Sequence, residues 1–588
     1  MTATGNGPVE TDVLIVGSGP AGGAAALLLS TYGVPNIVVT KYGRLADTPR
    51  AHITNQRTME VLRDAGIEQQ VIAKATPQRL MGQTPFCTSL AGEELGRLHT
   101  WYTHPSRQAD HDLASPTAIC DMPQHLMEPV LVDAAVARGT RLRYDTEYLS
   151  LVQDGDGVTA TVRDRLRGDE YQIRAKYLIG ADGGRSRVAE DIGLPMVGQM
   201  GVAGSINIVF EADLSRYVAH RPSTLYWVLQ TGADVGGIGM GLVRCVRPWN
   251  EWLIVWGYDI NGAPPDLTEE YARQVAHRLI GDDSVPLRIT SSSAWTVNHL
   301  YAERYHSGRV FCAGDAVHRH PPSNGLGSNT SIQDAYNLAW KLKLVLSGAA
   351  GPQLLESYSA ERAPVGRQIV SRANQSIAET GRIFQALGLL STEDPDQMRA
   401  NMAARSLAGA EHEKQRRALR EAIAFKSYEF NTHGVELDQR YVSGAVLPDG
   451  TPPPVNPRDP ELYHHATTWP GAKVPHAWLG RGTEVVSTLD LGGRGRFVVL
   501  TGVGGQPWLD AARALAANLG VDVAGYVIGP GGDYEDLYGD WAGLREVDDT
   551  GCVLLRPDNY VGWRSVDLPA DPAQALGAAL RGILAVEV

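Results

Sequence analysis

Cysteine is scarce and scattered. Cys87, Cys120, Cys245, Cys312 and Cys552 are odd in number and form no C-x-x-C pair. That pattern argues against a disulfide framework and against a thiolate zinc site. No other His, Cys or acidic cluster stands at metal-ligand spacing. Basic charge is also lacking, since 53 Lys and Arg face 66 Asp and Glu, a formal net charge of -13. A nucleic-acid binder needs the opposite sign on its surface. No apolar run approaches the roughly 20 residues that cross a bilayer. The polar opening, Met1 to Gly7, does not read as a secretory leader. The expected setting is cytoplasmic and reducing, with no membrane partner.

The chain has ample length, 588 residues at 43% hydrophobic, enough for several domains. Its organising segment comes first. Val13 to Val16 is apolar without alternation, as in a parallel strand covered on both faces. Gly17, Gly19 and Gly22 then fit G-x-G-x-x-G, with Pro20 and Ala21 between them, and an apolar helix follows. The first glycine permits a tight turn, the second a close approach of backbone to a pyrophosphate, the third helix-on-strand packing. The helix N-terminus points bare N–H groups at the phosphates. The usual acid at the end of the second strand is missing. Asn36 to Thr40 is followed by Lys41, with Arg44 nearby. Two readings stay open here: an NADP site in which Lys41 and Arg44 hold the 2′-phosphate, or an FAD site whose ribose is held another way.

Further on, Arg50 and His52 fall just past the second strand, at the ligand edge of a doubly wound sheet. His52 reads either as a functional base or as a loop histidine capping backbone. A helix opens near Pro123 and Gln124 and closes at Gly139. A β-meander follows and ends in Tyr177 to Ala181, then Asp182-Gly183. Residues 200 to 300 read as a mostly antiparallel sheet. In one of its strands Trp252, Trp256 and Tyr258 share a parity, and Leu253 and Val255 take the other. Tyr226, Trp227, Trp256 and Tyr258 are pocket candidates, with an ordinary aromatic core as the alternative. Glycines 236, 237, 239 and 241 suggest a cavity or a close backbone approach. Val310 to Ala313 is another buried strand. It is followed by Gly314-Asp315, a loop with Pro322, Gly325 and Gly327, and a helix from Ser328 and Asn329 onward. An aspartate at a strand end can accept hydrogen bonds from a polyol chain. A glycine loop and helix N-terminus suit a planar, electron-rich ring.

The three motifs, Gly17-x-Gly19-x-x-Gly22, Asp182-Gly183 and Gly314-Asp315, together resemble the class A FAD monooxygenases, the single-component flavin aromatic hydroxylases. The runs Thr48 to Glu60, Thr224 to Trp227, Trp256 to Asp259 and Gly314 to Pro322 are similar to the branch that hydroxylates chlorinated phenols. The resemblance implies an α/β fold with three parts. A Rossmann-like FAD domain of the p-hydroxybenzoate hydroxylase type takes 1–75, 110–190 and 300–380. An interleaved antiparallel substrate sheet takes 76–109 and 191–299. A helical segment and linker over 381–440 leads to a thioredoxin-like domain over 441–588.

By the same resemblance, Gly17, Gly19, Pro20, Ala21 and Gly22 face the FAD pyrophosphate. Lys41, Arg50 and Gln124 lie in the FAD site, Asp315 holds the ribityl chain, and Pro322, Gly325, Gly327, Ser328 and Asn329 line the ring. Asp182 and Gly183 match a motif tied to both FAD and NADPH, although Ala189 stands where many members carry Arg. His318 is structural, and His320 stays undecided. The implied activity is NADPH- and O₂-dependent ortho-hydroxylation of a chlorinated phenol to a catechol through a C4a-hydroperoxyflavin. His52 acts as the phenol's base, since a neutral imidazole can take a proton near pH 7. No metal is expected, and a homo-oligomer is. A hydroxylase of another phenol or a polyketide, an NADP-dependent dehydrogenase, and a non-catalytic scaffold on the same fold are the alternatives. The terminal domain has one cysteine, so it cannot run dithiol chemistry.

Overall fold

The computed structural model describes residues 8–231 and 241–586. Glycines 236, 237 and 239, and the start of the strand expected there, lie outside the described residues.

The first sheet is built on parallel pairs. Val9–Val16 lies between Asn36–Val39 and Glu170–Gly180, and Glu170–Gly180 pairs in turn with Val310–Cys312. Val13, Leu14 and Ile15 are fully buried, which is why the strand carries no polar alternation. The register sets Val16 opposite Val39 and Gly180, and Gly180 opposite Cys312. The chain therefore leaves these strands along one common edge, at Gly17, Thr40, Ala181 and Ala313. The meander strands Thr146–Gln153 and Val158–Asp164 extend the sheet antiparallel from Glu170–Gly180.

The second sheet has eight strands and two long members, Met196–Glu211 and Arg288–Ala302. Strands Gln83–Cys87 and Glu94–His99 come from the earlier part of the chain and join it beside Leu225–Val228. Helix Glu269–Ile280 covers one face through Ala272, Val275, Ala276, Leu279 and Ile280. Gly241 marks the close approach, because a Cβ there would sit 2.5 Å from Leu279.

Helices Gly381–Ala386, Pro395–Ala404 and Ala410–Phe425 then lead to a segment without strands and a four-stranded sheet. Its order is Val523–Val527, Phe497–Thr501, Cys552–Leu555, Val561–Ser565. The first pair is parallel across helix Gln506–Leu519, and the others are antiparallel, a thioredoxin-like arrangement. Cys552 is buried at its centre, and burial pushes its thiol up, away from thiolate chemistry.

Candidate active site

The flavin cradle forms where the strand ends meet two helix starts. A cleft is lined by Pro20, Ala51, Thr54, Met122, Gln124, Met127, Ser328, Asn329 and Ile332. Gly17 has φ +105°, and a Cβ there would lie 2.2 Å from the Ala181 carbonyl oxygen. A Cβ on Gly22 would lie 2.0 Å from the Gly17 carbonyl oxygen. Protein packing alone therefore demands those two glycines. Gly19 differs: its nearest neighbour, Glu128 Oε1, would be 3.8 Å away. Space is kept open over Gly19, as approach of a pyrophosphate requires.

At the other end of the cradle, Gly314 turns at φ +65° against Ser331 and Ala21. Its N–H donates to Asp334 Oδ2 at 3.1 Å, and Asp334 also accepts from Arg362 and meets His318 Nε2 at 2.9 Å. His318 is therefore locked in a buried knot that shapes the turn. Asp315, past the strand end, is left exposed. Crowding by protein raises its carboxyl above the usual range, while His318, Arg319 and Arg50 oppose the rise. Asn329 fastens the ring loop: its Nδ2 donates to Ile53 and Gly325 carbonyls, and its Oδ1 accepts from the Asn55 N–H. Helix Gly327–Leu346 starts there, Pro322 is exposed at the loop's entrance, and His320 lies beside Gly327. These residues fit a flavin dinucleotide. An open glycine face, a strand-end carboxylate and two helix N-termini converge on one cleft.

Asp182 is held differently. Its carboxylate accepts from Ser186 Oγ and from the Arg187 and Val188 N–H groups, capping helix Arg187–Asp191. Gly183 turns at φ +82° with no neighbour within 4 Å. Lys41 and Arg44 are exposed, and Arg44 pairs with Asp47.

Beside the cradle lies a charged trio. His52 Nδ1 is 2.8 Å from Asp121 Oδ2, and Asp121 Oδ1 is 4.0 Å from Arg244 Nη2. Short strands set the first contact: Ile53 pairs with Asp121, and the Met122 N–H donates to the His52 carbonyl at 2.6 Å. Arg244 Nη1 donates to the carbonyls of Pro49 and Arg50. Side-chain exposure is 15% for His52, 1% for Asp121 and 4% for Arg244. Burial and the Arg244 charge lower the His52 pKa, and Asp121 opposes them. Burial also lowers the Arg244 pKa, to about 10, so it stays charged near neutrality. Asp121 Oδ1 and Arg244 Nε and Nη2 have no hydrogen-bond partner among the described residues. Buried polar atoms left without a partner call for an explanation, and a functional role is one.

The family described as FAD binding domain matches residues 10–373, and that described as aromatic-ring hydroxylase, C-terminal, matches residues 467–585. The chain belongs to the FAD-dependent aromatic-ring hydroxylases. It is 57% identical to the 2,4-dichlorophenol 6-monooxygenase of Delftia acidovorans, over 98% of this chain and 99% of that one. It is 52% identical to the phenol 2-monooxygenase of Pseudomonas sp. strain EST1001, over 98% and 93%. The crystal structure of the flavin-dependent monooxygenase PieE, in complex with FAD and substrate, superposes at TM-score 0.94. It is 47% identical and covers 99% of this chain and 100% of that one. Membership of this flavin family removes the NADP-dehydrogenase reading of Lys41 and Arg44. No helix among the described residues is long and apolar enough to cross a membrane, and no group of His, Cys, Asp and Glu there could hold a metal.

In this hydroxylase the aromatic candidates divide by face. Directly paired residues of antiparallel strands share a face. Leu225, Arg244 and Leu253 fall on one face, with Trp227, Leu242, Val255 and Asn207. Tyr226, Val243 and Ile254 fall on the other, with Trp252, Trp256 and Tyr258. Arg244 thus marks the face toward His52, and Trp227 shares it, packed with Ile53 and Phe86. Tyr226, Trp256 and Tyr258 are turned away into the core under helix Glu269–Ile280, where Trp256 Nε1 donates to Tyr271 Oη at 3.2 Å. The parity observed in the sequence was real. Which parity faced the site was a tertiary fact.

Four residues near the candidate site escaped the sequence reading: Asp121, Arg244, Asp334 and Glu128. Asp121 lies two residues before Pro123, at the start of the Gln124–Ala137 helix, and Asp334 lies in helix Gly327–Leu346. Neither Arg244 nor Glu128 carries a local signal, since an arginine in a strand and a glutamate in a helix are common.

Proposed function

We propose that this hydroxylase converts a phenol, chlorinated phenols included, to the corresponding catechol by ortho-hydroxylation with NADPH and O₂. The observation that carries the reading is the His52–Asp121–Arg244 trio, set beside the flavin cradle on a largely apolar face. When bound, FAD supplies electron transfer from NADPH and activation of O₂ toward an electron-rich ring. The chain's own residues supply the rest.

The Asp121 carboxylate at Nδ1 favours the tautomer with its proton there, which leaves Nε2 of His52 free to accept one. Nε2 takes the proton from the phenol hydroxyl, and the ring carbon ortho to it becomes electron-rich. Asp121 stabilises the imidazolium that results. Arg244, charged and with two unpartnered nitrogens, is placed to balance the phenolate. Trp227, Ile53 and Phe86 provide an apolar wall that keeps water from the reacting centre. Asp182 and Gly183 shape the edge of the cradle, and NADPH approach past them is part of the proposal. The described cysteines are all free and buried, in keeping with a reducing cytoplasm.

The test is NADPH oxidation and catechol formation by the FAD-loaded enzyme across phenols of graded pKa, with His52→Ala in parallel. The variant is expected to lose about 10²- to 10⁴-fold in rate on weakly acidic phenols, and much less on chlorinated phenols already ionised. A loss that is uniform across the series removes His52 as the base. No phenol-stimulated oxidation in the parent enzyme would overturn the substrate class.

A further inference from the structure

A dinucleotide site of this kind normally ends its second strand in an acid that accepts hydrogen bonds from the adenosine ribose. Here the positions hold Thr40 and Lys41, and the next acid, Asp47, is exposed and paired with Arg44. A buried carboxylate comes near from another element. Glu128 sits one turn into helix Gln124–Ala137, on the same face as Gln124. Its residue is only 3% exposed. Oε1 accepts from Gln124 Nε2 at 2.5 Å, and Oε2 accepts from the Ala46 N–H at 2.8 Å. Ala46 belongs to the loop that follows the second strand, and Oε1 is the nearest group over the open face of Gly19.

The carboxylate therefore lies between the pyrophosphate turn and the loop past the second strand, the place an end-of-strand acid would reach. Burial raises its pKa, while Gln124, Ala46 and the Arg50 charge oppose the rise. Each oxygen has one protein donor, and a carboxylate oxygen can accept two. We propose that Glu128 replaces the missing strand-end acid and accepts the hydroxyls of the FAD adenosine ribose. The absence of an acid at Lys41 and the buried acid at Glu128 are then one arrangement. The inference rests on the flavin site and is independent of the phenol reading.

The experiment is fluorescence titration of the flavin-stripped full chain with FAD, FMN and FAD carrying 2′-deoxyadenosine, for the parent and Glu128→Gln. Circular dichroism checks that the isosteric variant is folded. FAD affinity is expected to fall about 10- to 100-fold in the variant, as for loss of a charge-assisted hydrogen bond. FMN, which lacks the adenosine, should bind both proteins equally. The parent should prefer FAD to the deoxy analogue, and the variant should not. An equal fall for FAD and FMN would overturn the inference and leave Glu128 as a support for Gln124. Unchanged FAD affinity, or equal discrimination against the deoxy analogue by both proteins, would also overturn it.

Discussion

Asp121 stands 69 positions from His52, yet its carboxylate lies 2.8 Å from that histidine's Nδ1. Burial and Arg244 push the His52 pKa down, and Asp121 is the group pushing it up. Replacing Asp121 with Asn therefore weakens the base. The acid limb of the rate profile is expected to move to lower pH while the plateau falls. A fall of about tenfold or more is expected, since a partner that orients a catalytic imidazole acts on every turnover. The pH dependence of kcat/KM on an unactivated phenol checks this, and an acid limb that moves to higher pH would contradict it. Of the expected site residues, the glycines were legible because their backbone demands are local. Gly17 turns at φ +105°, and a Cβ on Gly22 would meet the Gly17 carbonyl; the motif records both directly. Asp121 and Arg244 were not legible, since nothing in a strand sequence says which distant loop it will face.

At the scale of elements, helix Gln56–Asp64 is the joint between site and terminal domain. Asn55 caps it by accepting from the Thr58 N–H, and its own N–H is held by Asn329 of the ring loop. From the helix, Arg57 donates to the Asp558 carbonyl, Glu60 accepts from Lys473 at 3.0 Å, and Arg63 pairs with Asp490 at 2.6 Å. Lys473 and Arg57 hold the Glu60 carboxyl below its usual range against the cost of burial. Glu60→Gln leaves the Lys473 ammonium buried without its anion, which costs roughly 3–5 kcal/mol. The first thermal transition should fall, whereas the double variant Glu60→Leu with Lys473→Met should recover part of the loss. If the single and double variants melt alike, the pair is not coupled. The terminal domain thus supports the loop carrying His52 through packing and ion pairs.

At the scale of the molecule, several buried histidines set the acid limit of stability. Burial lowers His111 and His476 to about 4 and pushes His433 down further. Unfolded histidine binds its proton near pH 6.5. Between pH 6.5 and about 4 the unfolded chain therefore holds more protons, and stability falls as pH falls. For fully buried His111 alone the loss is about 3 kcal/mol across that window. Glu436, whose Oε1 accepts from Tyr102 Oη, is pushed up to about 8 by burial. Its contribution has the opposite sign: complete below the usual carboxylate pKa, lost as pH rises toward 8. Between pH 5 and 6.5 the histidines outnumber it, so the melting temperature is expected to drop steadily on acidification. A flat melting temperature from pH 7 to 5 would contradict this balance.

The sequence by itself determined the parallel strand with its glycine turn, the Gly314–Asp315 turn, the alternating aromatic strand and the lone inert cysteine of the terminal domain. Each follows from neighbours along the chain, through φ, period or burial. Only the tertiary structure decided which sheet face turns toward His52, which carboxylate holds His52, and that a helix carboxylate, Glu128, reaches the loop after the second strand. Those depend on register and on helix placement, which join residues tens to hundreds of positions apart. No local pattern encodes such a meeting, because either face of a two-faced strand can be buried and both faces here are.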